Sequence, residues 1–132
     1  MAEAKLSYPV PKTVRENARR GLKLRAETGG KGGLTTQQAG KLKIGSGVAR
    51  ANSLIHGNVT YDTIKRMYSF FSRHKVYKER GYHNDRKSKA YISWLLWGGD
   101  AGFTWCKKII RQHERALAEK SGPFLDLVLQ SI

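Results

Sequence analysis

The chain has 132 residues, with 25 Lys and Arg against 10 Asp and Glu, a formal net charge of +15 and a pI near 10.3. That length suits one domain around a single core. Basic residues spread along the chain, rather than gathered in a tail, favour polyanionic partners, nucleic acid first and an anionic surface second.

Three tryptophans, six tyrosines and four phenylalanines supply the bulk for a compact core and argue against wholesale disorder. The only cysteine is Cys106, so no internal disulfide is possible. The start, MAEAKLSYPV, lacks the apolar run of a secretion signal. The longest apolar run, Trp94 to Trp97, is far too short to span a bilayer. The expectation is a soluble, reduced, cytoplasmic protein with no membrane partner.

Pro9-Val10-Pro11 stops any earlier element and predicts a helix from Pro11 or Lys12 to about Glu27. Val14, Ala18, Gly21 and Leu22 form its apolar side. Lys12, Arg15, Arg19 and Lys23 form a basic stripe whose mutual repulsion an external anion would relieve. Gly29-Gly30-Lys31-Gly32-Gly33 reads as a flexible loop. It is not a P-loop, because Lys31 is followed by Gly32 instead of Ser or Thr and no strand precedes it. Thr35 or Thr36 can cap a short helix to Leu42. After the Gly45-Ser46-Gly47 interruption, Ser46 can cap another helix that turns Val48, Ala51, Leu54 and Ile55 inward and stops at Gly57.

The clearest amphipathic stretch follows, Asn58 to Arg73. Thr60 is the expected N-cap, and Asp62 puts negative charge in the first turn. Ile64, Met67, Tyr68 and Phe71 at i, i+3, i+4 and i+7 make one apolar stripe. The other face carries Lys65, Arg66, Ser69, Ser72 and Arg73. With the helix before it, this gives the outline of a helix-turn-helix whose second helix occupies the reading position. The helix is predicted to continue to about Glu79, before Gly81.

His74 to Lys89 is strongly basic and interleaved with Tyr77, Tyr82 and His83, residues suited to backbone contact and base stacking. Tyr91 to Trp97 reads as a short buried helix capped by Ser88. Asp100 is expected to cap a last helix over Ala101 to Lys120, with Phe103, Cys106, Ile110, His113 and Leu117 inward and Gly122-Pro123 as its stop. Trp94, Trp97 and Trp105 are expected to form the aromatic centre of the core. Four scattered histidines and one cysteine give no metal-site spacing, and no cofactor is implied.

Three blocks, YPVPKTVRENARRGLKLR, KIGSGVARANSLIHGNVTYDTIKRMYSFFSRH and YISWLLWGGDAGFTWCKK, occur in this order. In them the chain resembles a small domain of tailed-phage genomes, found alone or beside head-maturation protease and other virion genes. The resemblance covers about Pro9 to Ile110. It implies a phage or mobile-element origin and carries no settled activity. The segment after Lys120 and the high basic charge depart from that pattern.

The fold expected is all-α: a single compact helical domain of about five helices with a helix-turn-helix-like pair and a Trp-rich core. It comprises an extension over 1–8, the helical body over 9–120 and an apolar tail over 121–132, through which a homodimer can form. The leading functional reading is a DNA-binding protein, sequence-specific for double-stranded DNA, serving as a regulator or targeting module. Lys65, Arg66, Ser69 and Arg73 would approach base edges or adjacent phosphates, and Arg15, Arg19, Lys23, Lys41, Lys43 and Arg50 would clamp phosphates. The alternative is a virion or head-assembly protein that meets DNA or capsid without sequence preference. A small nuclease ranks third, since no paired carboxylates, metal cluster or nucleophile-base set is present.

Overall fold

The computed structural model describes residues 7–33, 35–42 and 46–130, without the side chains of Thr36, Ala39, Leu42 and 119–130. Among these residues six α-helices and one two-stranded sheet follow in the order β1 (Tyr8–Pro9), α1 (Lys12–Glu27), α2 (Thr36–Leu42), α3 (Gly47–His56), β2 (Asn58–Val59), α4 (Tyr61–Glu79), α5 (Lys89–Leu96) and α6 (Gly99–Gln130). A 3-10 turn, Tyr82–Asn84, lies between α4 and α5. The all-α class and the aromatic core are as the sequence predicts.

Local chemistry sets the helix starts. The Ser46, Thr60 and Ser88 hydroxyls accept the amides of Ala49, Thr63 and Tyr91 at 3.0, 3.2 and 3.1 Å. Of the two threonines offered for α2, Thr35 is the cap. It forms a reciprocal box with Gln38, in which the Gln38 amide donates to Thr35 Oγ1 at 3.1 Å and the Thr35 amide donates to Gln38 Oε1 at 3.0 Å. Gly57, at φ 100°, ends α3.

α1 packs on α3 and α5 and touches α6; α4 packs on α6 and α5. The two helices of the predicted helix-turn-helix outline are consecutive, yet each has its main partners elsewhere, α3 on α1 and α4 on α6. The connection between them is also a strand. β2 pairs antiparallel with β1, Tyr8 opposite Val59, and the Val10 amide donates to the Gly57 carbonyl at 2.8 Å. The start of the described chain is thereby tied to the α3–α4 link, and Tyr8 is buried.

Burial on α4 departs from the predicted stripe. Ile64, Met67, Phe70 and Phe71 are buried, whereas Tyr68 is 40% exposed. α4 is covered by α5 as well as α6, so the buried arc rotates toward Phe70, which stacks on Trp97 at 4.4 Å. Phe71 lies between Trp94 (edge-to-face, 4.8 Å) and Phe103 (stacked, 5.0 Å). Trp94 and Trp97 are core residues, and Trp105 packs partly buried at the margin. On α6, Cys106 and Ile109 are buried, while Leu117 is 54% exposed because the body no longer covers the helix there.

The second half of the glycine loop, Gly32 and Gly33, is packed, while Gly29 and Gly30 are exposed. The Arg25 guanidinium donates to the Gly32 carbonyl and the Gly33 amide donates to Ser93 Oγ, both at 2.9 Å. Gly32 has φ 83°, and a Cβ there would fall 2.7 Å from Ile92 Cγ2, so the glycine lets the backbone lie directly on α5. Gly98, at φ 117°, does the same at the α5–α6 corner, where a Cβ would fall 2.9 Å from Val14 Cγ1.

α6 departs from expectation at both ends. It begins at Gly99, so Asp100 lies in its first turn instead of capping it, and its carboxylate is taken by Lys78 and Trp94. The helix also continues past Gly122-Pro123 to Gln130. A proline removes one helical hydrogen bond and favours a kink, but it does not force the helix on either side to end.

Candidate nucleic-acid interface

α4 is held by its apolar side and turns Lys65, Arg66, Ser69 and Arg73 to solvent, all four exposed. Two of them are not wholly free. Asp62 sits 3.5 Å from Lys65 and 3.6 Å from Arg66, in a fan of exposed pairs that costs little to open. Ser69 and Arg73 have no carboxylate partner among the described residues.

Cations from neighbouring helices flank this face. On the α3 side the Arg50 guanidinium lies over the Trp97 ring, 5.4 Å from its centroid. The stack continues from Trp97 to Phe70 and on to His74 at 4.2 Å. Arg50 Nε is buried without a hydrogen-bond partner among the described residues. Burial, and then the positive charge of Arg66, lower its pKa. Two arginines therefore converge where no described carboxylate compensates Arg50, an arrangement that an anion would stabilise.

On the α6 side a groove runs along the α4–α6 pair. One stretch, a cavity of about 500 Å³, is lined by Tyr61, Lys65, Tyr68, Lys107, Ile110, Arg111 and Glu114. The next, about 560 Å³, includes Lys75, Lys78, Phe103 and Thr104 and shares Lys107 with the first. Lys107 Nζ lies 3.9 Å from the centroid of Phe103, and Tyr61 stacks on His113 at 3.9 Å. Lys75 belongs to the basic segment read as suited to backbone contact, whereas Lys107 and Arg111 were not among the residues predicted to touch DNA. The i, i+4, i+8 spacing of Lys107, Arg111 and Arg115 was the available signal on α6.

The remaining predicted residues do not join this surface as one patch. Arg19 and Lys23 are exposed on α1 and Lys41 on α2, while Arg15 is half-buried, with its Nε also lacking a partner among the described residues. Lys43 lies outside the described residues. α1 and α4 are not main packing partners; they meet the α5–α6 corner from two sides, Val14 and Met67 both reaching Gly98. The α1 stripe is thus carried by a helix that is not a main partner of α4.

The nucleophile and histidine candidates resolve as core groups. Cys106 is fully buried and its thiol is pushed up to about 12 by burial. At pH 8 only on the order of one in ten thousand such thiols is ionised. Cys106 is therefore expected to resist iodoacetamide in the folded protein and to react at the rate of unfolding; fast labelling of native protein would contradict this.

His74 and His83 both have lowered pKa values. Burial is the main cause in each, followed by Arg73 for His74 and by Lys78 for His83. With folded values below the unfolded one, the unfolded chain binds more protons as pH falls from about 6.5. Stability contributed by neutral His74 and His83 is therefore complete above that pH and is lost as pH falls through the folded values. Melting temperature is expected to rise with pH across this range, and the slope to flatten in the His74→Gln/His83→Gln variant. An unchanged slope would contradict the assignment.

Among the described residues no group of three His, Cys, Asp or Glu side chains is placed to hold a metal ion, and no helix is long and apolar enough to cross a membrane. Compared with family models, curated proteins and solved structures, the chain matches none.

Proposed function

We propose that this protein binds double-stranded DNA with sequence preference, using α4 as the reading helix. The observation that carries the reading is the outward face of α4. Lys65, Arg66, Ser69 and Arg73 are exposed along one rigid helix, with Arg50 on one flank and Lys107 and Arg111 on the other. A helix of 19 residues is about 28 Å long and slim enough for a major groove about 12 Å wide. In this pose Arg66 and Arg73 approach base edges, Ser69 can donate or accept, and Arg50, Lys107 and Arg111 meet the phosphates on either side. The net charge of +15 supplies long-range attraction. A regulator or targeting module of phage or mobile-element origin is the biological setting that suits these features.

The test is selection from a random duplex library followed by sequencing, at low and at near-physiological salt. One enriched motif that survives the higher salt is the expected result, with its recovery lost in Arg66→Ala. Binding that is tight at low salt, unenriched and gone at higher salt would overturn sequence reading and leave a non-specific role such as head assembly.

A further inference from the structure

On the side of the molecule where α1, the 3-10 turn, α5 and the start of α6 converge, there is a cavity of about 410 Å³. Its lining includes Arg20, Lys78, His83, Arg86, Tyr91 and Asp100, with Trp94 behind them. The Lys78–Asp100 pair divides it from the α4–α6 groove, since both residues line both spaces.

The charges here are not balanced. Asp100 Oδ1 accepts Lys78 Nζ and Trp94 Nε1, each at 2.8 Å, so the one carboxylate of the lining is already engaged. Arg20 and Arg86 have no ion-pair partner among the described residues, and Arg86 is kept over the Tyr91 ring at 4.6 Å. His83 stands edge-on to Trp94 at 5.1 Å, buried and without a hydrogen bond among the described residues. Burial, reinforced by Lys78, keeps its imidazole neutral near pH 7, able to donate from one nitrogen and accept at the other.

Two unpaired guanidiniums match a dianionic phosphate, which accepts bidentate hydrogen bonds. Half-buried Tyr91 is the accessible ring of the lining, Trp94 behind it being a core residue, and the volume is in the range of small-molecule sites. We propose that this cavity binds a nucleotide carrying a terminal phosphomonoester, its phosphate held by Arg20 and Arg86 and its base against the Tyr91 side of the lining, with the Trp94 indole N–H behind it as a reporter. The site is independent of duplex reading, because Arg20, His83, Arg86 and Tyr91 are all outside α4.

The experiment is a titration of the full chain with 5′-AMP and, separately, with inorganic phosphate, followed by backbone and indole nitrogen-proton NMR shifts. AMP is expected to move the Trp94 indole and Tyr91 signals and to bind at least about tenfold more tightly than phosphate. Arg20→Gln and Arg86→Gln are each expected to weaken AMP by about tenfold, the effect of removing one charge-assisted hydrogen bond. Both side chains are exposed and unpaired among the described residues, so these variants keep the fold, and Lys31→Gln controls for removal of one charge elsewhere. No shift at Trp94 and Tyr91, equal affinity for phosphate, or full binding in both variants would overturn the proposal. Single strands with a 5′-phosphate or a 5′-hydroxyl then separate the sources. A phosphate-dependent gain that needs Arg20 and Arg86 places the nucleotide at a DNA end, and a gain confined to AMP identifies a free nucleotide.

Discussion

Phe71→Ala is expected to lower the free energy of unfolding by about 3–5 kcal/mol, the usual cost of removing a buried aromatic ring. Phe71 has no exposed surface and is held between Trp94 and Phe103. Gly102 lies against the same ring, a Cβ at that position falling 3.2 Å from Phe71 Cζ. The ring thus joins α4, α5 and α6 at one point, and the surrounding aromatics are too rigid to close the space it would leave. Phe71→Leu refills most of the volume and is expected to cost about half as much. Urea denaturation read by circular dichroism measures both, and a loss under about 1 kcal/mol for the alanine variant would show that this junction is not where the core is anchored.

The second large effect concerns binding. Lys65→Gln, Arg66→Gln and Arg73→Gln combined are expected to weaken duplex binding at least about 100-fold near physiological salt. They should also make the dependence of log affinity on log salt shallower by roughly 0.9, for the one phosphate that Lys65 no longer neutralises, since Arg66 and Arg73 are placed at base edges. Stability should change by less than about 1 kcal/mol, because the three side chains are exposed and the ion pairs of Lys65 and Arg66 with Asp62 are long. An unchanged affinity and slope would move the interface off α4, to the α1 stripe or the α4–α6 groove.

The legible parts of this structure are those governed by neighbours in sequence. Thr35, Ser46, Thr60 and Ser88 announce helix starts because a cap acts on an amide three residues ahead. The solvent face of α4 was legible for the same reason. What escaped depends on partners far along the chain. Tyr68 and Phe70 exchange roles because α5 covers one flank of α4. Asp100 leaves the cap position for Lys78 and Trp94, which no helix pattern links to it. The second half of the glycine loop is fixed by Ser93, 60 residues away. A strand of two residues, such as β1, is too short to show alternation at all. The candidate surface was legible on α4 and incomplete elsewhere, since only the tertiary fold sets Lys107 and Arg111 of α6 beside Lys65.

The sparse pairing of charge has a thermodynamic consequence of its own. Against a net charge of +15, the described residues hold four ion pairs, one inside α1, two inside α4 and one between α4 and α6. Folding therefore concentrates like charge that the expanded chain keeps apart, and mobile counter-ions relieve the folded form more than the unfolded one. Heat resistance should climb with ionic strength, and multivalent anions should achieve at micromolar levels what simple salt does only when abundant. Any polyanion that binds the folded form more tightly than the unfolded one would add to its stability in the same way.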